Sequence, residues 1–329
     1  MDALARAVEQ AEAGFSGVVR VDRAGQPPFE RAFGLADRAH GIPAAPATRF
    51  GIASATKGLT ALTVASLADD GVLPLDTRAR ELLRGDLPLI DDAVTVEQLL
   101  AHRSGIGDYV DEEAMDSDLD HVLTEPVHQL AETEDYLAVL DGLPQVFRPG
   151  ARFAYNNGGY VVLALLAERA AGAPFRALVA ERVCEPAGMA ATSFPRGDEP
   201  DAGIATGYLD GDSPRTNVLH LPVRGSGDGG AVSTAGDIHA LWRACSAGLI
   251  VPPGRLADML RSRSADGEPA YGLGFWLHEG GAAELVGSDA GVSFASAHDP
   301  ARDLTRTVIA NVTGGAWAMA AAVDDALAA

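Results

Sequence analysis

The sequence predicts an α+β fold, an antiparallel sheet flanked by N- and C-terminal helices and interrupted by a mainly helical insertion. Three observations predict it. Short strand-like segments gather at both ends of the 329 residues, a helical pattern with Pro and Gly breaks fills the middle, and each end adds one more helix. With 47% hydrophobic and only 22% charged residues, the chain can bury a large core in one large domain or two modest ones.

Residues 2–13 alternate charge with Ala at helical spacing. Residues 15–21 and 29–35 read as two strands joined by a turn at 23–28. A helix is expected over 54–70 and another over 94–101, ending before the turn His102-Arg103-Ser104-Gly105. A third spans 160–171, closed by Gly172 and Pro174. Strand-like pieces return at 271–277, 283–286, 292–297 and 305–311, and a helix over 316–328 ends the chain. The Gly/Asp/Ser-rich stretch 198–230 reads as the loop that returns the insertion to the sheet. The expected division is therefore a sheet domain of residues 1–53 and 225–329 and a mainly helical domain of residues 54–224.

Composition removes several classes of function. With 25 basic and 46 acidic residues the net charge is −21, which repels phosphate backbones, so no nucleic-acid partner is expected. No run of 18 apolar residues exists to span a bilayer, and the first residues lack the apolar core of a signal peptide, so a cytoplasmic protein is expected. Cys184 and Cys245 read as buried thiols. The eight His residues show no ligand-like pairing, and His102 and His298 read as turn or capping residues; neither a metal nor a cofactor is expected. GxSxG is absent, and the stretch Gly51 to Lys57 lacks the Gly before Lys and the Ser or Thr after it that a P-loop needs.

The basic residues divide unevenly, 24 Arg against a single lysine, Lys57. Arg bias with abundant Ala and Gly explains why other lysines are missing, not why this one remains. Arg holds its proton, whereas a buried Lys can release one. Lys57 is also the only charged residue between Arg49 and Asp69, on a helix whose other faces are apolar or hydroxylic. Ser54 precedes it by three positions and shares its face. Burial disfavours the ammonium, and a neutral amine beside a hydroxyl makes an activated nucleophile. A second cluster, Phe153-Ala154-Tyr155-Asn156-Asn157, follows a Pro-Gly turn and leads into the apolar helix. There Tyr155 could relay a proton, and Asn157 could bind a substrate amide or hold the lysine. The plainer alternative is a buried Tyr hydroxyl and an Asn helix cap.

FGIASATKGLT, LLAHRSGI (99–106), AYNNGGYVVLALLAERAAG and the stretch from Gly229 to Asp237 together resemble the serine β-lactamase and DD-peptidase (penicillin-binding-protein-like) superfamily. The likeness is closest to its class C β-lactamase and esterase-like branch and runs from about residue 14 to the C-terminus. It implies the β-lactamase-like fold, with the active site where the helical and sheet domains meet. It also implies Ser54 as acylated nucleophile, Lys57 as its base partner, Tyr155 as general acid/base and Asn157 as a substrate contact.

Two departures bear on the substrate. The family's third motif, Lys-Thr-Gly or His-x-Gly, grips a substrate carboxylate with its cation. Here the chain reads Val286-Gly287-Ser288-Asp289-Ala290-Gly291, which sets Ser288 in place of the cation, Asp289 beside it, and Ala290 where Gly would stand. The N–H of Gly291 would then join that of Ser54 as the oxyanion hole. A site without that cation suits neither penicillins nor D-Ala-D-Ala peptides. Between Arg103 and Arg148, moreover, there are twelve Asp or Glu and no Lys or Arg. This run is either a solvated acidic face or, with Asp289, an attractor for an amine-bearing substrate. The expected activity is a serine acyl-enzyme hydrolase of esterase or amidase type on a small ester or amide. The alternative is an acyltransferase of specialised metabolism with an amine or alcohol acceptor, and a non-catalytic ligand-binding relative is the contrasting class. The sequence leaves the oligomeric state open.

Overall fold

The computed structural model describes residues 2–328 apart from 111–116, 118, 200, 266 and 269. The main sheet has six antiparallel strands: β1 (Gly17–Arg23), β2 (Phe29–Phe33), β3 (Trp276–Leu277), β4 (Ala283–Asp289), β5 (Val292–Asp299) and β6 (Leu304–Ala310). Their order is β2-β1-β6-β5-β4-β3. β1 pairs with β6 from Gly17↔Ala310 to Arg23↔Leu304, so the two ends of the chain meet in mid-sheet, and the stretch between β2 and β3 is an excursion from it.

Both faces of the sheet are covered, and the side-chain alternation shows how. Val19 and Val21 of β1 and Val308 of β6 pack on Leu4 and Val8 of α1 (Asp2–Ala11) and Val323 of α5 (Trp317–Ala328). Their neighbours Val18 and Ile309 point the other way, into the main core. That face is covered by α4 (Ala235–Ser246), where Ile238, Leu241 and Trp242 are buried and Trp242 Nε1 donates to Ser296 Oγ at 2.9 Å.

The excursion is mainly helical. α2 (Thr56–Asp69) is buried along its length from Thr56 to Ala65, as an uncharged sequence on all faces dictates. α3 (Asn157–Ala171) lies beside it, buried from Asn157 to Ala167. It starts where the Asn156 side chain accepts the N–H of Gly159, and stops at Gly172, whose φ of 67° the following turn requires. No helix among the described residues is long and apolar enough to cross a membrane.

Three expectations need correction in detail. The helix expected from residue 54 begins with a 3₁₀ turn, Ala53–Ala55, before α2. Of the strand expected over 271–277 only Trp276–Leu277 joins the sheet, while Tyr271 folds back to bridge Trp276, because the chain before it bends onto α2. At Gly274, with φ 92°, a Cβ would sit 2.3 Å from the Ala61 Cβ. His298 lies within β5 rather than at a turn, its ring bonded to Thr305 and Ser246. Cys184 and Cys245 are buried free thiols, which burial pushes up to about 12.

Candidate active site

Ser54 sits in the 3₁₀ turn at the start of α2, preceded by Ala53 with a φ of 45°, a strained value for a residue with a Cβ. Lys57, one turn on, is 2% exposed. Its Nζ lies 2.9 Å from Ser54 Oγ, 2.7 Å from Asn157 Oδ1 and 2.9 Å from the carbonyl of Asp228. An ε-amino group has three donor directions when charged, and all three end on acceptors. The lysine is thus held on the seam between α2, the first residue of α3 and the segment that returns to the sheet.

Tyr155 covers this cluster, with Lys57 Nζ 5.0 Å from its ring centroid. The ring stacks near-parallel with Trp276, centroids 5.9 Å apart, and lies 4.3 Å from the His102 ring. His102 was read from sequence as a turn or cap. It is both, with φ 54° and Nδ1 accepting the Asn156 N–H at 3.0 Å, yet it also backs Tyr155. Burial holds its pKa well below the usual histidine range, and neighbouring Lys57 adds to this, so the ring is neutral. Its place in LLAHRSGI was the one signal that could have marked it.

The glycine strand differs from the sequence expectation. Ala290 and Gly291 form the two-residue turn between β4 and β5, flanked by the pair Asp289↔Val292. Gly291, φ 72°, donates its N–H to Thr313 Oγ1 at 2.8 Å, so that donor serves the turn and not an oxyanion. The glycine that makes room for the Ser54 turn is Gly287, where a Cβ would lie 2.2 Å from the Ile52 carbonyl and 3.0 Å from Ser54 N. The position two residues before it, where the family carries its cation, is Leu285. That side chain is buried and packs on α2 at Gly58. Ser288 therefore follows the close-approach glycine instead of replacing the cation. In an antiparallel ladder alternate residues turn their N–H to opposite edges, which directs that of Ser288 away from β5.

A cavity of about 1110 Å³ opens in front of Ser54, lined by Tyr155, Asn157, Asp228, Ser288 and Asp289 among others. Asp228 went unnoticed in the sequence. Its carboxyl is buried, and burial pushes its pKa up against the opposing pull of Lys57 and Tyr109. The acidic run divides in the fold. Glu132 pairs with Arg176 and Glu134 with Arg169, Asp135 caps the N–H of Glu132, and Asp108 is bonded to α3. Asp111, Glu112, Glu113, Asp116 and Asp118 lie outside the described residues. Among the described residues no group of His, Cys, Asp and Glu could hold a metal ion.

A family model, Beta-lactamase, matches residues 4–329. Penicillin-binding protein 4* of Bacillus subtilis is 30% identical over 177 residues, which is 53% of this chain and 37% of that protein. Esterase EstB of Burkholderia gladioli is 35% identical over 200 residues, 59% of this chain and 50% of that protein. The matches thus span half or less of these curated relatives. The crystal structure of a penicillin binding protein from Bacillus halodurans superposes with a TM-score of 0.91 at 34% identity, covering 98% of this chain and 99% of that one.

Proposed function

From the premise that this chain belongs to the beta-lactamase family, we propose that it is a serine acyl-enzyme hydrolase of esterase or amidase type. The observation that carries the reading is the 2.9 Å contact between Ser54 Oγ and the buried Nζ of Lys57. In this reading Lys57 Nζ takes the hydroxyl proton as Ser54 Oγ bonds to the substrate carbonyl carbon. The N–H groups of Ser54 and Ser288 support the resulting oxyanion, at the start of α2 and on the edge of β4 respectively. As the C–O or C–N bond breaks, Tyr155 passes a proton to the leaving group and recovers it from Lys57. Water then attacks the acyl carbon, giving its proton to Tyr155 and Lys57; the bond from the acyl carbon to Ser54 Oγ breaks, Oγ takes that proton and the acid leaves. Asn157 holds Lys57 and reaches the cavity, where it can also meet the substrate. We read residues 54–224 as the helical unit and 1–53 with 225–329 as the sheet unit, with the reaction at their junction.

The substrate is neither a penicillin nor a D-Ala-D-Ala peptide in this reading, because Leu285 occupies the position of the carboxylate-gripping cation. Acidic side chains outnumber Arg and Lys in the cavity lining. Asp228 and Asp289 flank Gly229, with Asp289 Oδ2 3.8 Å from where a Cβ at that glycine would stand, which favours an ester or amide bearing an amine. The cavity volume supports the second reading, transfer of the acyl group to an amine or alcohol, since about 1110 Å³ exceeds what one small ester fills. Partition of the acyl-enzyme between water and added amine separates the two. Covalent labelling tests the reading as a whole. A fluorophosphonate should add mass to the wild type and none to Ser54→Ala, and an unlabelled wild type would mean a non-catalytic relative.

A further inference from the structure

We propose that Asp108 and Tyr109, two consecutive residues of one loop, are positioning residues that clamp both protein groups holding Lys57 against Ser54. The proposal rests on the reading of Ser54 and Lys57 as nucleophile and base. Besides Ser54, Lys57 Nζ meets two acceptors, Asn157 Oδ1 and the Asp228 carbonyl, which come from segments 71 positions apart. From α2, which carries the lysine, Thr60 Oγ1 donates to the Gly227 carbonyl at 2.6 Å, next to Asp228. The loop that follows the His102 turn holds both acceptor residues, Asn157 and Asp228, from the other side.

The first grip is on Asn157. Asp108 Oδ2 accepts the Asn157 N–H at 2.6 Å and Oδ1 accepts the Gly158 N–H at 2.9 Å. These are the first two residues of the 15-residue α3, whose opening N–H groups have no partner within the helix. A carboxylate there satisfies two of them and meets the positive end of the helix dipole. The approach is close, since a Cβ at Gly158 would stand 3.4 Å from Asp108 Oδ1 and 2.9 Å from Leu140 Cδ2. The backbone that aims the Asn157 side chain at Lys57 is thus pinned at the same residue.

The second grip is on Asp228. The Tyr109 hydroxyl donates to Asp228 Oδ2. Burial, with Asp228 beside it, pushes the phenol well above its ordinary range, so it stays protonated and remains a donor. Asp228 uses its carboxylate for Tyr109 and its carbonyl for Lys57. One dipeptide therefore ties the two acceptor segments to each other, and together with Thr60 it holds them in place around Nζ beside Ser54 Oγ.

The single lysine makes this testable without turnover, because lysine labelled with ¹³C at Cε gives one side-chain resonance, that of Lys57. Asp108→Asn and Tyr109→Phe should each move that resonance. Each should also slow fluorophosphonate labelling and kcat by about 10- to 100-fold, with KM changed by less than about threefold. Asp108→Glu should recover part of the loss. A resonance at its wild-type position and labelling within about twofold of wild type in folded Tyr109→Phe would overturn the clamp, whatever becomes of the melting temperature. Tyr109→Phe removes only a hydroxyl and remains decisive if Asp108→Asn fails to fold. A wild type that takes no label at Ser54 would overturn the functional reading instead, and the resonance would still decide the clamp.

Discussion

Lys57 Nζ and Asn157 Oδ1 lie 2.7 Å apart across 100 positions of sequence, joining the first turn of one buried helix to the first residue of another. The contact places the chain's one lysine between the two helices that form the core of the helical unit, with little room to relax. An amide oxygen can accept from the lysine whether or not the lysine is charged. It therefore orients the amine without fixing its protonation, which suits the proposed role of Lys57 as a base.

Lys57→Arg should keep the positive charge and lose acylation. A guanidinium cannot give up its proton, and its planar fork does not fit three acceptors arranged around one nitrogen. Loss of a general base costs about 10²- to 10⁴-fold, so kcat/KM for an activated ester should fall into that range. Ester hydrolysis followed by absorbance, with a thermal melt to confirm folding, checks this. Near-normal turnover would reduce Lys57 to a counter-charge.

Gly287→Ala should damage both stability and the nucleophile. The new Cβ would lie 2.2 Å from the Ile52 carbonyl, a backbone atom, and 3.0 Å from Ser54 N, so strand and turn must separate. Overpacking of this kind costs about 1–3 kcal/mol, and Ser54 would move with the turn. A lowered melting midpoint together with slowed labelling of Ser54 is expected. An unchanged labelling rate would show that β4 does not set the position of Ser54.

Much of this arrangement was legible in the sequence, and what was not follows a physical pattern. Ser54 and Lys57 are three apart on one helix, and local spacing reports local contact. The uncharged runs of α2 and α3 announce burial for the same reason. Gly291 was misassigned because nothing local distinguishes a glycine that relieves a turn from one that lets another strand approach; the distinction lies in Thr313 for one and Ser54 for the other. Asp108 and Asp228 were invisible as site residues because their partners are long-range. Asp108 was counted as one of twelve surface-like acids although it caps α3, and the useful atom of Asp228 is a backbone carbonyl that any residue could supply.

Asp108 gives the site a pH dependence of known sign. Burial pushes its carboxyl up to about 6, although the N–H groups of Gly158 and Asn157 and the nearby Lys57 favour the charged form. The titratable groups around it are Lys57 on α2, Tyr109 beside it and Asp228 beyond. Protonation removes acceptor capacity from the N–H bonds to α3, so kcat/KM should fall as pH drops through about 6. Stability runs the other way. A folded pKa above the ordinary 3.8 means the native state holds the proton more tightly, so this contribution is full below about 4 and is lost as pH rises through about 6. The loss is on the order of 2–3 kcal/mol. Asp108→Asn should abolish this limb of the stability profile and displace the acid limb of activity. Profiles that keep both features in the variant would assign them to another group.

Substrate charge should matter in one direction only. Leu285 offers nothing to a carboxylate, while Asp228 and Asp289 are among the residues that line the cavity beside Gly229. An ester carrying an ammonium near its carbonyl should therefore outpace its neutral isostere in kcat/KM, and a carboxylate-bearing analogue should lag behind both. Charges separated by less than the Debye length of about 10 Å at 0.1 M salt are screened least. A preference made by these two acids should thus persist at high ionic strength, whereas one made by the outer acidic run should fade. Asp289→Asn should narrow the gap, because it removes a negative charge from the cavity lining beside Gly229. Equal rates for all three esters at low and high salt would remove the acids from recognition and leave cavity shape alone to select the substrate.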